Sequence, residues 1–410
     1  MSGANLAGAA SRASASPPVP SPLWEPPPLS VYVHFPWCVS KCPYCDFNSH
    51  VLREALPGER YLDALHADLT AQAPAFAGRP VISVFFGGGT PSLFPPDLIA
   101  RVLDDLRRHL PFTADAEVTL EANPATVERG RFAGYRDAGV NRVSLGAQSF
   151  DATALAALGR IHVPADVARA AEELHAAALP NFNLDLMYGL PAQSIAGALA
   201  DVTAALALAP AHLSHYQLTL EPGTRFAAQP PPLPDEEACW QMQVECQGLL
   251  AAHGFAHYEV SAYASAGRQC RHNLNYWRFG DYIGLGAGAH GKLTQQLSRI
   301  LRSTHLREPR RYLASAADGP QWRPLPPQDL PFEFMLNALR LNAGFTAELF
   351  QSRTGHPFAA VRPVLDRLSS QGLIDHSGES WQATPLGQRF LNDVVGAFLP
   401  RQESADSASS

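Results

Sequence analysis

The stretch VYVHFPWCVSKCPYCDFN, residues 31–48, holds three of the six cysteines of this 410-residue chain. Cys38, Cys42 and Cys45 form the pattern C-x3-C-x2-C, and no further cysteine or histidine follows before His50. Iron–sulfur cubanes are normally held by four cysteine thiolates, so three cysteines leave one iron open to an exchangeable ligand. We therefore predict an iron–sulfur cluster with one open iron in this stretch.

Two prolines predict that the cysteine stretch is a loop. Pro36 precedes the first cysteine, Pro43 lies between the second and third, and both disfavour a continuing helix. A structural zinc site is the main alternative, but such sites usually pair two groups of ligands, and the second pair is missing here. Disulfides are another alternative, although clustered cysteines without a secretory signal favour metal.

The composition limits the classes of function. Charged residues make up 17% of the chain and the net charge is −7, which argues against a nucleic-acid-binding surface. We find no apolar run of about 18 residues, and so expect no membrane span. Residues 1–28 and 401–410 are low in complexity, and the first tract lacks the pattern of a signal peptide. We expect two disordered tails and a cytoplasmic protein.

From Ser30 onward, short apolar strands alternate with amphipathic helices. The six predicted strands are residues 31–35, 82–89, 117–123, 141–150, 181–191 and 212–224. The alternation predicts parallel pairing, and the near-continuous apolar runs indicate a sheet covered by helices. We therefore predict an α/β fold, a partial (β/α)6 barrel, with its site at the carboxyl ends of the strands.

Polar residues occur where these strands end. Gly87 to Thr90 follow the second strand, Glu121 and Gln148 end the next two, and Asp185 lies in the fifth. The glycines let a ligand approach the backbone, and the carboxylates can accept hydrogen bonds from an ammonium or ribose hydroxyls. Arg160 offers a donor fork for a carboxylate. Each residue alone would be a turn or capping residue, but together they predict a binding site.

These features resemble radical S-adenosylmethionine (SAM) proteins, in the branch that contains oxygen-independent coproporphyrinogen oxidase and haem chaperones. The resemblance covers residues 30–399 and includes GGGTPS at 87–92 and YGLP at 188–191. It implies a radical SAM barrel with a [4Fe–4S] cluster on the three cysteines and SAM on the open iron. The SAM contacts that it implies are Tyr32, Tyr44, Gly88, Gly89, Thr90, Glu121, Gln148, Arg160 and Asp185.

Three features resemble the chaperones more than the oxidase. The oxidase has a fourth cysteine two residues after the third, where this chain has Phe47, and it has an ordered arm where this chain has the tract 1–28. The third is CRHNLNYW, residues 270–277, which resembles a haem-binding motif. His272 would ligate the iron, with Tyr276 and Trp277 as flat apolar surface. An ordinary hydrogen-bonded histidine is the alternative. Weaker candidate ligands are Cys270 and His290, the latter in a glycine-rich segment.

The resemblance thus implies a haem chaperone that is not itself an enzyme. Its partners would be haem and an acceptor haemoprotein, with membrane contact only through that acceptor, and a homodimer is compatible with it. The alternative is a radical SAM oxidase that decarboxylates porphyrinogen propionates. A DNA-contacting protein with a redox-sensing cluster is a third hypothesis.

We divide the chain into a barrel at 29–265, a haem-motif segment and connection at 266–330, and a C-terminal domain at 331–400. The last domain has three predicted helices, a hairpin and a final helix, which is a winged-helix-like order. The second of these helices carries little positive charge and the net charge of the chain is acidic, which favours packing or partner contact over DNA binding. Cys239 and Cys246 share one face of a predicted helix and are expected to be buried, inert thiols.

Overall fold

The computed structural model describes residues 25–124, 130–297 and 299–400. Its strands are β1 Leu29–Phe35, β2 Trp37–Cys38, β3 His50–Val51, β4 Val81–Gly88, β5 Phe112–Ala122, β6 Arg142–Gln148, β7 Phe182–Tyr188, β8 His212–Gln217, β9 Ala256–Glu259, β10 Ala262–Ala264, β11 Asp281–Leu285, β12 His290–Gln296, β13 Arg299–Thr304, β14 Gln321–Pro324, β15 Phe345–Thr346, β16 Ile374–Ser377 and β17 Ser380–Ala383.

The α-helices alternate with the strands in the first half of the chain. They are α1 Gly58–Gln72, α2 Pro96–His109, α3 Phe132–Ala138, α4 Ala152–Ala157, α5 Pro164–Ala176, α6 Ile195–Ala207, α7 Arg225–Ala228, α8 Glu236–Ala252, α9 Arg271–Trp277, α10 Pro309–Ser315, α11 Leu330–Ala338, α12 Ala347–Thr354, α13 Arg362–Ser370, α14 Pro385–Arg389 and α15 Leu391–Gly396.

Within the described residues, one twelve-stranded sheet runs in the order β14-β13-β12-β11-β1-β4-β5-β6-β7-β8-β10-β9. The six predicted strands are β1 and β4 to β8, and they pair in parallel, which confirms the α/β prediction. The sheet is larger than predicted because β11 also pairs in parallel with β1, and antiparallel strands continue both edges. Pairing between residues so far apart in sequence leaves no local signal.

The central strands are apolar because helices or other strands cover both of their faces. In β1 every residue except Tyr32 is buried, and in β7 every residue except Asp185. These two exceptions are polar residues that both line cavities. The sheet interior thus fixes the backbone, while its few half-buried polar positions point to the site.

Residues just before β1 contact the main part of the fold. The carbonyl of Pro28 accepts a hydrogen bond from the backbone of Asp281, and that of Pro27 accepts one from Arg79. These contacts hold the chain before β1 begins. The rest of the predicted tail, residues 1–24, and the predicted tail 401–410 lie outside the described residues.

The segment 266–330 shares the main sheet with the barrel, since it contains β11 to β14. Buried ion pairs connect this segment to the barrel. Nζ of Lys292 lies 2.9 Å from Oδ1 of Asp281, and Arg79 contacts the other carboxylate oxygen of Asp281 at 2.9 Å. The domain boundaries at residues 265 and 330 remain predictions.

A second apolar core forms the C-terminal part of the chain. Strand β15 lies between α11 and α12, and β16 and β17 follow α13, so that the three strands form a small antiparallel sheet in the order β15-β17-β16. Helices α14 and α15 follow. Phe279 and Ile300 from the preceding segment join this core. Arg340 adds an ion pair with Glu259 at 3.2 Å and lies over the Trp277 ring. The C-terminal part is therefore packed against the main sheet.

Of the helices in the described parts of the chain, none combines the length and apolarity that crossing a bilayer requires.

Candidate cluster and SAM site

The cysteine loop lies between two short strands. β2 and β3 pair in parallel, with Trp37 opposite His50, and the backbone N–H of Leu52 donates to the carbonyl of Cys38 at 2.9 Å. Cys45 N–H donates to the carbonyl of Cys42 at 3.2 Å, which closes a turn at Pro43. The loop predicted from the prolines is thus present, and its three cysteines line one cavity of about 400 Å³.

The thiols fit a cluster better than a single metal ion or a disulfide. All six cysteines are free. In tetrahedral zinc sites, Zn–S bonds of about 2.3 Å place the sulfurs roughly 3.8 Å apart. Within the described residues, the three loop sulfurs do not all lie within 4.8 Å of one another. Burial raises the pKa of Cys38 and Cys45, and since thiolates are the ligands, cluster binding releases protons.

The glycine loop after β4 is hydrogen-bonded to the backbone at the start of the cysteine loop. Gly89 N–H donates to the carbonyl of Phe35 at 2.7 Å, and Thr90 N–H donates to the carbonyl of Trp37 at 2.8 Å. A Cβ on Gly89 would lie 2.5 Å from that Trp37 oxygen. The Thr90 hydroxyl lies 3.6 Å from Sγ of Cys38. The glycine is therefore required for the close approach of the two loops.

Two carboxyl groups line the cavity from β5 and β7, the strands on either side of β6. Burial and the nearby Asp185 raise the pKa of Glu121 to about 8, although the Gly88 N–H donates to it at 3.0 Å. Burial also raises the pKa of Asp185, against hydrogen bonds from Asn183 and Ser144. An ammonium group between the two carboxyl groups would stabilise their charged forms and so lower both pKa values again.

Arg160 contributes a guanidinium on the same side as the cysteines. Its Nη1 lies 3.7 Å from Sγ of Cys42, its Nη2 donates to the carbonyl of Gly146 at 2.9 Å, and its buried Nε has no partner among the described residues. A buried donor without a partner fits a carboxylate ligand. Gln148 ends β6 with φ of +67° and accepts a hydrogen bond from the Tyr216 hydroxyl at 2.7 Å. The site residues are thus held in place by specific contacts.

The structure brings most of the sequence-predicted residues to this first cavity. They are Cys38, Cys42, Tyr44, Cys45, Gly88, Gly89, Thr90, Glu121, Gln148, Arg160 and Asp185. Tyr32 lies outside it and lines a second cavity of about 420 Å³. The two cavities share a wall made of Phe47, Gly88 and Glu121.

His272 does not offer a nitrogen to a haem in this structure. It is 1% exposed, its Nδ1 lies 3.1 Å from the Ser83 hydroxyl, and its Nε2 lies 3.0 Å from the Tyr276 hydroxyl. Burial and Arg142 lower its pKa to about 3. This environment matches the alternative given for His272, an ordinary hydrogen-bonded histidine. Cys270 is also buried, and its thiol contacts Glu117 at 3.6 Å.

Sequence reasoning missed several polar and aromatic residues that line the cavities. Tyr216 lines the first, while His34, Asn48 and Tyr282 line the second. Tyr216 lies near the end of the sixth strand, so the strand-end argument could have found it. The two carbonyl groups that accept hydrogen bonds from Nδ2 of Asn48 lie more than 200 residues away in sequence, which left no local signal.

Comparisons with known proteins agree with this geometry. Residues 32–201 match the Radical SAM superfamily, and residues 325–390 match the HemN C-terminal domain. The heme chaperone HemW of Escherichia coli is 49% identical over 91% of this chain and 98% of that protein. This chain belongs to the HemW family of radical SAM proteins. HemW of Haemophilus influenzae is 45% identical over 92% of this chain and 99% of its own length.

The fold of this chain matches the solved structure of coproporphyrinogen III oxidase (HemN) from E. coli. The TM-score is 0.77 over 91% of this chain and 90% of that one, at 24% identity. This likeness supports the fold, a radical SAM barrel with a HemN-type C-terminal domain. Membership of the radical SAM superfamily implies a [4Fe–4S] cluster and SAM, and the first cavity has donors suited to both.

Proposed function

We propose that this protein is a haem chaperone that binds haem and passes it to an acceptor haemoprotein. The observation that carries this proposal is its 49% identity to E. coli HemW along nearly the full length of both chains. Phe47 supports it, because it replaces the fourth cysteine of the oxidases that the sequence resembles, and the side chain is 60% exposed at the wall between the cavities.

We assign cluster binding to Cys38, Cys42 and Cys45. When bound, a cluster with SAM on its open iron supplies a redox centre able to cleave SAM reductively. The protein residues would bind and orient SAM: Glu121 and Asp185 accept from its amino group or ribose hydroxyls. Arg160 donates to its carboxylate. The remaining proposed contacts are Tyr44, Gly88, Gly89, Thr90 and Gln148 from the first cavity, and Tyr32 from the second.

The oxidase alternative rests on a likeness that concerns the fold alone. Anaerobically reconstituted protein, supplied with SAM, reductant and coproporphyrinogen III, should form no protoporphyrinogen. Formation of that product at a rate comparable to an authentic oxidase would overturn the proposal that the chain is not an enzyme.

A transfer assay tests the chaperone function directly. Haem-loaded protein is mixed with a haem-free b-type cytochrome, and the cytochrome spectrum is followed with and without cluster and SAM. We expect stoichiometric haem binding and transfer faster than from free haem. Failure of the wild-type protein to bind haem would refute the function. The acceptor's identity, a homodimer, the absence of nucleic-acid binding and a cytoplasmic location remain predictions.

A further inference from the structure

The second cavity has the volume and the aromatic lining of a small-molecule site. Its volume of about 420 Å³ lies within the range of small-molecule pockets. Tyr276 and Tyr282 line it with rings 4.4 Å apart, and the exposed ring of Phe47 adds further apolar surface. The two tyrosine rings meet edge to face at an interplanar angle of 66°, and a ring face with the Phe47 ring beside it suits a flat apolar ligand.

His290 supplies the imidazole of this cavity. It lies at the start of β12, its ring is exposed, and no residue of the described chain hydrogen-bonds to that ring. The other histidine of the cavity, His34, has Nδ1 3.0 Å from the Tyr32 hydroxyl and Nε2 2.9 Å from the Asn48 carbonyl. Of these two histidines, His290 is therefore the one whose ring nitrogens are open to a ligand in the cavity.

An arginine side chain supplies a positive charge at the same cavity. Arg307 lines it, is exposed, and has no ion pair with any residue in the described ranges. Arg307 and His290 line the same cavity, and the positive charge of Arg307 lowers the pKa of both His50 and His290. A carboxylate on a ligand would pair with this guanidinium through a charge-assisted hydrogen bond.

His272 contributes to this cavity through Tyr276. Its Nε2 contacts the Tyr276 hydroxyl at 3.0 Å, and its ring stacks on Phe85 with centroids 5.0 Å apart. The enclosed imidazole therefore orients a ring of the cavity wall. This explains how the segment 270–277 can serve haem binding while its histidine remains buried.

We propose that haem binds in this second cavity, with His290 as axial ligand to its iron, Arg307 on a propionate and His272 as a positioning residue for Tyr276. This inference rests on the proposed haem-chaperone function. It places the cargo directly across the shared wall of Phe47, Gly88 and Glu121 from the cluster and SAM cavity.

A haem titration of single variants tests the ligand. Wild type and His253→Ala, a control at an exposed histidine after α8, should give the same Soret band and electron paramagnetic resonance spectrum. His290→Ala should lose the imidazole signature and bind haem about tenfold or more weakly, and added imidazole should restore the spectrum. His272→Ala should weaken binding but keep the imidazole signature, and His272→Gln should recover affinity by contacting Tyr276 again.

The propionate contact is tested with haem and haem dimethyl ester. Arg307→Gln should weaken haem binding roughly tenfold and leave ester binding unchanged, as expected for one charge-assisted hydrogen bond. Arg310→Gln, three residues along and also exposed, is the matched control. If His290→Ala keeps the wild-type spectrum and affinity while His272→Ala loses them, the inference is wrong and the function stands. If wild-type protein binds no haem, the function itself is wrong.

Discussion

Nδ2 of Asn48 donates a hydrogen bond to the carbonyl oxygen of Ala287 at 2.9 Å, and so joins the cysteine loop to the glycine-rich turn before β12. The same atom donates to the carbonyl of Arg307 at 2.9 Å. Gly288 permits this contact, because a Cβ there would lie 2.4 Å from the Asn48 amide and its φ is +78°. The cluster loop and the second cavity are therefore one connected structure.

Replacing Asn48 should disturb both cavities together. Asn48→Ala leaves two backbone carbonyls without their donor, and the free energy of unfolding should fall by about 1–3 kcal/mol. Asn48→Asp should be worse, since a carboxylate would face two carbonyl oxygens. Urea unfolding and haem titration of both variants measure the effect. Equal stability of wild type and the Asp variant would show that these hydrogen bonds contribute nothing.

Iron content tests the cysteine assignment. Cys42→Ala should lose most of the iron and the brown chromophore after anaerobic reconstitution, because three thiolates are the minimum set for this cluster. Cys239→Ala, at a buried thiol in α8, is the control and should keep both. Full iron content in the Cys42 variant would contradict the assignment.

Glu121 should make stability depend on pH in the absence of SAM. Its pKa is raised from 4.5 to about 8, so the folded protein holds an extra proton between these values. The free energy of unfolding should therefore fall as pH rises through that window. Urea unfolding at about pH 6 and about pH 8 measures the slope, which Glu121→Gln should reduce. An unchanged slope in the variant would show that Glu121 titrates normally.

The same carboxyl should make SAM binding depend on pH. The anionic form accepts hydrogen bonds from an ammonium, so the SAM affinity of reconstituted protein should rise as pH passes about 8. Isothermal titration calorimetry across this range checks the trend. A flat profile for wild type would remove Glu121 from the proposed SAM contacts.

The buried ion pair of Asp281 should matter far more than an exposed one. Asp281→Asn removes the charge that faces Lys292 and Arg79, and it should cost about 3–5 kcal/mol because Lys292 stays buried. Glu333→Gln breaks a partly exposed pair with Arg302 and should cost less than about 1 kcal/mol. Thermal unfolding compares the variants, and similar losses would contradict the argument.

Much of the site followed from local pattern. The spacing of the cysteines, the alternation of strands and helices, and the polar groups at strand ends are short-range features of the chain. Because the carboxyl ends of parallel strands meet at one edge, Gly88, Glu121, Gln148 and Asp185 had to converge. The structure places all four at the cavity of the three cysteines.

The second cavity did not follow from local pattern. The motif containing His272 indicated the right segment, but its spacing could not show that the imidazole contacts Ser83, 189 residues earlier. His290 is exposed because β11 and β12 pair beside β1 and a glycine turn carries the chain between them. The sequence around either histidine does not predict these contacts.

The sequence by itself therefore determined the fold class, the cluster loop and the cavity where strand ends meet, because periodicity and spacing are local properties. Only the tertiary structure decided which histidine is enclosed and which faces a cavity, and that Tyr32 belongs to the second cavity. Burial and hydrogen-bond partners depend on contacts between distant segments, and these exist only once the sheet has formed.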